Sequence, residues 1–294
     1  FADKFAHPRW DANPVLRAKA AARIQYEAYE TSPQGVLERD LKFLQRDRDP
    51  RFRTPTPAEI DKATPDGFRQ VWQKALSSGP IEVQLYGDFD RNAAIAALQR
   101  TFGALPTRKP LPADTAPATA RFPAANAEPV VVTHRGDANQ AAAVISWPTG
   151  GGYAGIHESR QLEILTQLFT NRLLDRMREK SGASYAPQVM SDWPLDLDNG
   201  GAVTAYAQMQ PASVPDFFTT AQEIAADLAA RPVGADELAR VIEPLRQQVT
   251  RAATSSAFFM GQLEGATEQP ARFEALRSLL SDYTQTTPEA MQAM

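Results

Sequence analysis

The sequence predicts an α+β fold: two-layer α/β sandwich domains, each with helices laid against a mostly antiparallel sheet. Three observations carry this. Beyond residue 129 the apolar residues follow strand and helix periods in the order β-β-α-β-β-α-α-α, which suits helices packed on one face of an antiparallel sheet. Ahead of that stretch lies a mainly helical region with one alternating strand. Between the two, residues 104–129 hold six prolines in 26 residues with little periodicity, the pattern of an extended interdomain linker. A chain of 294 residues accommodates about two domains. The expected division is 1–112 and 113–294, and no solenoid-length repeat interrupts it.

Each element has a local cause. Asn13-Pro14 sets an N-cap and a proline at the first helical position, opening a helix to Tyr29. A second helix is expected from about Gly35 to Arg46. Thr56-Pro57-Ala58-Glu59 is a capping box that opens a short helix ending near Ala63. Thr64-Pro65 opens another, with Phe68, Val71, Trp72 and Leu76 on one side and a stop at Gly79. Ile81, Val83 and Leu85 alternate with polar residues, which predicts a half-buried strand. Gly87 to Asp90 turns the chain, and Asp90 caps a helix ending at Gly103.

After the linker, Val130–Thr133 and Ala141–Trp147 read as buried strands. His157 to Lys180 is a long amphipathic helix with Leu162, Leu165, Leu168, Phe169, Leu173 and Met177 along one face. Two strands follow over Ser184–Trp193 and Gly201–Met209. Helices are expected at about Ser213–Arg231, Ala235–Ala253 and Ala271–Tyr283, and Thr287-Pro288 starts one more.

Composition narrows the function. Lys plus Arg total 31 and Asp plus Glu 35, a net charge of −4, which argues against a generic nucleic-acid binder. With no cysteine, the chain has no disulfide, zinc–thiolate site or cysteine nucleophile. No apolar run approaches the roughly 18 residues of a membrane span. His7, His134 and His157 are too far apart for a compact histidine metal motif.

Several constellations invite chemistry and fall short of it. His157-Glu158-Ser159-Arg160-Gln161 resembles a zinc-binding helix, but its second imidazole position holds Gln161. Thr149-Gly150-Gly151-Gly152-Tyr153 lacks the Gly-Lys-Ser/Thr end of a phosphate loop and reads as a flexible connection. Asp196 and Asp198 lie in an Asp-Leu-Asp-Asn-Gly turn without EF-hand spacing. No serine sits in a Gly-x-Ser-x-Gly elbow.

One stretch is more specific. Leu168 to Lys180 ends a helix, Gly182 supplies its stop, and a strand begins near Tyr185. Arg178 and Tyr185 therefore flank one tight turn, where their side chains could converge. A fixed cation and a phenol suit an anionic oxygen, including the tetrahedral intermediate of peptide hydrolysis. Taken by themselves, a surface Arg and a half-buried Tyr are more often structural.

This segment resembles the pitrilysin/insulinase family of zinc metallopeptidases, in its non-catalytic C-terminal half. The family pattern is Leu-x-x-x-Leu-Arg-x-x-x-x-Gly-x-x-Tyr or a near variant, and Leu173, Arg178, Gly182 and Tyr185 stand in such an arrangement. Asp49 to Phe52, Thr56 to Ile60, Ile81 to Val83, Gly87 to Asp90 and Phe102 to Pro106 are similar to the close of one family domain. His134 to Asp137 and Ala141 to Pro148 are similar to the opening of the next. The resemblance covers most of residues 35–290.

It implies domains of the metallopeptidase-half type, the first incomplete because the family domain opens with strands that should precede Phe1. It implies a clamshell protease whose N-terminal half carries His-x-x-Glu-His and the zinc, with no cofactor in this chain. Arg178 and Tyr185 would then bind substrate and oxyanion. The partners implied are a peptide or unfolded protein and the zinc-bearing half, and periplasmic residence is implied by the resemblance alone. The alternative is a catalytically inactive homologue acting as a structural or peptide-binding subunit.

Overall fold

The computed structural model describes residues 1–111, 118–181 and 186–294. The chain divides into two compact units, Phe1–Glu27 with Pro55–Ala116, and Ala28–Thr54 with Pro117–Met294. This partition differs from a single cut near residue 112 by giving residues 28–54 to the second unit.

The helices before the linker are α1 (Ala2–Ala6), α2 (Ala12–Tyr29), α3 (Pro33–Gln45), α4 (Pro57–Lys62), α5 (Pro65–Ser77) and α6 (Arg91–Arg100). The starts of α4, α5 and α6 follow the caps read from sequence, whereas α3 opens at Pro33 behind a Ser32 cap, two residues ahead of the expected start. At α4 the Glu59 amide donates to Thr56 Oγ1 at 3.4 Å, while Glu59 Oε2 accepts the Thr56 amide at 2.8 Å. Thr64 Oγ1 accepts the Gly67 amide at 3.1 Å, and Asp90 Oδ1 accepts the Ala93 amide at 2.6 Å. The C-terminal end of α5 is closed from a distance. The Arg108 guanidinium donates to the carbonyls of Gly79 at 2.6 Å, Ala75 at 3.3 Å, Leu76 and Ser78, satisfying groups a helix end leaves unpaired.

Two expected strands do not form. Ile81–Leu85 joins no ladder among the described residues, and the bridge nearest to it in sequence is the parallel pair Ser78 with Lys109. Val83 and Leu85 stay exposed. The apolar side of α5 is open too, with Phe68 45%, Val71 70% and Trp72 49% exposed. Alternation marks residues fit for a strand, but a strand exists only beside another that completes its hydrogen bonds. Val130–Thr133 has the same fate, with Val131 83% exposed.

The second unit holds the sheet: β1 (Ala141–Gly150), α7 (Ile156–Ser181), β2 (Gln188–Asp192), β3 (Asn199–Met209), α8 (Val214–Ala230), α9 (Ala235–Ala252), α10 (Ser256–Leu263), α11 (Ala271–Thr284) and α12 (Pro288–Ala293). The strand order is β1-β3-β2, antiparallel throughout. Of the strand expected over 184–193, residues 188–192 form β2; residues 184 and 185 lie outside the described residues. The helix α10 was not legible, because its run Ala257-Phe258-Phe259-Met260 shows no helical period.

The register sorts the side chains. Ala143, Ile145 and Trp147 of β1 share a face with Val203, Ala205, Ala207 and Met209 of β3 and with Val189 of β2. The alanines leave room for Ile164, Leu168 and Leu173 of α7 and for Phe217 and Ile224 of α8, all fully buried. Each such side chain stabilises the fold by about 1.5–3 kcal/mol. This is the two-layer α+β core. The opposite face carries Ser146 and Thr204, and there α3 lies against the sheet. Gln45 Nε2 donates to Ser146 Oγ at 2.8 Å and to Thr204 Oγ1 at 2.7 Å. Arg46, almost wholly buried beside the Phe52 ring, pairs with Asp192 at 2.8 Å. These contacts tie residues 28–54 to the second unit.

Candidate functional site

The candidate Arg178 stands near the C-terminal end of α7, its side chain exposed. Tyr185 lies outside the described residues, so the expected convergence of the two is not observed here. What the structure does describe is how α7 is held. Leu173 and Met177 are buried against the core on the turns before Arg178. A cation at a helix C-terminus also faces the negative end of the helix dipole, which favours it.

Three polar attachments set the helix in place. Arg172 grips Glu237 of α9 bidentately, Nε to Oε1 at 2.7 Å and Nη2 to Oε2 at 2.8 Å, and its Nη1 reaches Asp227 of α8 at 2.9 Å. The hydrogen bond from Arg172 holds the Glu237 carboxyl below its ordinary range, and Glu237 in turn raises the guanidinium. Arg176 pairs with Glu223 of α8 at 3.1 Å. On the sheet side, the Val189 amide of β2 donates to Thr170 Oγ1 at 3.0 Å.

The N-terminal end of α7 is anchored to α11. Arg160 and Asp282 form a buried ion pair, with side chains 6% and 9% exposed. Arg160 also donates to Ser278 Oγ at 2.9 Å and to the Ala275 carbonyl at 2.5 Å. His157 Nδ1 lies 3.0 Å from Asp282 Oδ1, and Ser278 Oγ donates to Asp282 Oδ2 at 2.9 Å. Burial alone pushes the Asp282 carboxyl up; the hydrogen bonds from His157, Arg160 and Ser278 outweigh it and leave it lowered. Gln161 Nε2 donates to the Asp282 carbonyl at 2.6 Å and its Oε1 accepts from Thr286 at 2.7 Å. Nearby, burial and the neighbouring Glu163 raise the Tyr283 phenol well above its usual range.

So the stretch His157 to Gln161 serves packing between α7 and α11. Arg160 could have been found in sequence as a charge within the apolar row Arg160, Ile164, Leu168; its partner could not. Among the described residues, no three His, Cys, Asp or Glu side chains gather to hold a metal ion.

The glycine run has a steric cause. A Cβ on Gly150 would lie 2.7 Å from Trp193 Cη2, and one on Gly151 would lie 2.5 Å from the Leu197 carbonyl oxygen. Trp193 Nε1 donates to the Gly152 carbonyl at 2.9 Å, and the Gly152 amide donates to the Pro194 carbonyl at 2.7 Å. The turn at 196–200 is likewise internal: the Asp198 amide donates to the Ala118 carbonyl and the Ala120 amide to Asn199 Oδ1.

The family model of the peptidase M16 inactive domain matches residues 62–245. The fold is similar to that of the periplasmic protease PqqL from Escherichia coli, at TM-score 0.71 and 15% identity over 96% of this chain and 31% of that one. It is similar to a conserved protein from Enterococcus faecalis V583, at TM-score 0.75 and 14% identity over 96% of this chain and 65% of the other. A peptidase M16 inactive domain from Pseudomonas fluorescens aligns at TM-score 0.71 and 17% identity, covering 99% of this chain and 68% of that one. At these identities the likeness is one of fold. The chain thus spans about a third of the Escherichia coli protease and two thirds of the other two. No curated protein matches the sequence.

Proposed function

The chain belongs to the peptidase M16 inactive-domain family, and from that premise we propose that it is the non-catalytic half of a zinc metalloendopeptidase. It closes a peptide-binding chamber against a zinc-bearing half, on the same chain or a separate one. The substrate is a peptide or unfolded protein. The observation that carries this reading is the family match across residues 62–245, joined to a fold shared with a bacterial protease.

The metal's chemistry, polarising the scissile carbonyl and activating water, is supplied by the other half. This chain contributes donors. Arg178, exposed on a helix end held by Arg172 and Arg176, offers a planar fork of N–H groups to a peptide carbonyl or oxyanion. Tyr185 adds a phenolic O–H seven residues on. Donors of this kind act where negative charge develops, and their effect grows in a site from which water is excluded.

The test combines this chain with the His-x-x-Glu-His polypeptide from the same or an adjacent reading frame. Cleavage of a quenched fluorescent peptide should require both and be blocked by a chelator. Equal cleavage by the zinc-bearing polypeptide alone, or none by the combination, refutes the proposal.

A further inference from the structure

The strand order β1-β3-β2 leaves β1 at one edge of the sheet, and the hydrogen bonds fix which of its backbone groups point outward. In an antiparallel ladder each residue turns its N–H and C=O to the same side, and successive residues alternate. The Val189 amide of β2 donates to Thr170 Oγ1 at 3.0 Å, so Val189 faces away from β3. Its partner Ala205 then faces β1, where it stands opposite Ile145. The register runs unbroken from Ala141 to Thr149. Ala143, Ile145 and Trp147 therefore face the ladder, while Ala142, Val144, Ser146 and Pro148 face outward. Pro148 agrees with this, since it stands where its missing N–H costs no ladder bond. The free edge offers the amides of Ala142, Val144 and Ser146 and the carbonyls of those residues and Pro148, none with a backbone partner among the described residues.

Edge strands are usually blunted by charged side chains, prolines or bulges, because unpaired backbone invites another strand. On β1 both blunting features sit at one end, at Pro148 and at the register shift between Thr149 and Gly150. Residues 141–147 carry no charge, and the outward-facing Ala142, Val144 and Ser146 are small enough to let a second backbone approach. We propose that this edge docks one extended segment of another polypeptide, taken up as a fourth strand of the sheet. Main-chain hydrogen bonds supply the affinity. The segment that fits is uncharged, rich in β-branched residues and free of proline where it bonds to β1. A second copy of this chain fits less well. Edge to edge, a strand of this length presents about 33 Å by 10 Å, or ~330 Å² per partner. A stable dimer buries about 800 Å² per partner. A rigid copy would be held by that strip alone, whereas a flexible segment also lays its alternate side chains along both faces of the sheet beside β1. The inference does not rest on the role proposed for Arg178, which stands on α7.

The experiment uses the full 294-residue chain. Its probe is a fluorescein-labelled peptide of alternating threonine and valine with a lysine at each end, followed by fluorescence anisotropy. A second peptide of the same sequence, N-methylated at every threonine and valine, keeps the side chains and has no strand edge left. The first should bind with a dissociation constant of about 100 μM, and the second should not bind. Val144→Pro removes an outward amide without touching a ladder bond and should weaken binding about tenfold, with circular dichroism unchanged. Ala142→Pro is measured alongside and judged by the same criterion if Val144→Pro does not fold. Amide hydrogen exchange by NMR locates the site: the first peptide should slow exchange at Ala142, Val144 and Ser146. No saturable binding of the first peptide, equal binding of the second, or wild-type affinity in the folded proline variant overturns the proposal. So does protection that falls on β2 in place of β1. If the three amides are already protected in the chain alone, and sedimentation shows a dimer, the occupant is a second copy and the proposal fails.

Discussion

Replacing Asp282 by alanine tests the α7–α11 junction most directly. The substitution removes the carboxylate that Arg160, His157 and Ser278 all address, and leaves the Arg160 guanidinium buried with only Ser278 Oγ and the Ala275 carbonyl. Breaking a buried ion pair from one side costs about 3–5 kcal/mol, because the remaining charge is desolvated without compensation. For a unit of this size, each kcal/mol lowers the melting temperature by about 2–4 °C, so a drop of about 6–20 °C is expected. Urea unfolding followed by circular dichroism at pH 7 measures the free energy. The double variant Arg160→Met with Asp282→Leu should recover most of the loss, since an apolar pair of similar volume carries no desolvation penalty. Acid should reproduce part of the effect. The folded carboxyl lies below its usual value near 3.8. Its contribution is therefore complete above about pH 5 and drains away as the pH falls through the folded value, below about 4. A loss under about 1 kcal/mol for Asp282→Ala, or a double variant no better than the single, would refute the claim that this pair pins α11 to α7.

Other outcomes are expected. In the two-part peptidase proposed above, Tyr185→Phe and Arg178→Lys should each lower kcat by about 10²–10³ with KM little changed, and steady-state kinetics showing near wild-type kcat in both would end the proposed catalytic role. Gly155→Ala should destabilise by about 1–3 kcal/mol, because the new Cβ runs into the Trp193 ring at Cζ2; thermal unfolding unchanged within about 0.5 kcal/mol would contradict that packing. Asp90→Ala should cost about 1 kcal/mol in the first unit by orphaning the Ala93 amide, read as a shifted urea midpoint.

Much of the fold was legible because its causes are local. A capping box, a proline at the first helical position or an Asp three residues before an amide lies within one helical turn. Thr56 with Glu59, Thr64 with Gly67 and Asp90 with Ala93 therefore appear in the structure as the sequence predicts. The period of α7, its apolar row and the two antiparallel strands after it were legible for the same reason. Family membership was legible from the order and spacing of several short motifs across the chain. The candidate Arg178 was placed on the end of its helix by the run Leu173 to Gly182 alone.

The rest was decided only in three dimensions. Ile81–Leu85 and Val130–Thr133 carry strand-like residues, but among the described residues no neighbouring strand completes their backbone hydrogen bonds. Alternation reports which side chains could be half-buried; it carries no information about a partner. The same holds for Arg160 with Asp282, 122 residues apart, and for Gln45 with Thr204, 159 apart. Periodicity is a relation between near neighbours, whereas a ladder or a buried ion pair joins groups whose separation along the chain is arbitrary. Which partner each group finds is settled by the packing of the core, and that packing tied residues 28–54 to the sheet and turned the glycines at 150–152 toward Trp193 and Leu197.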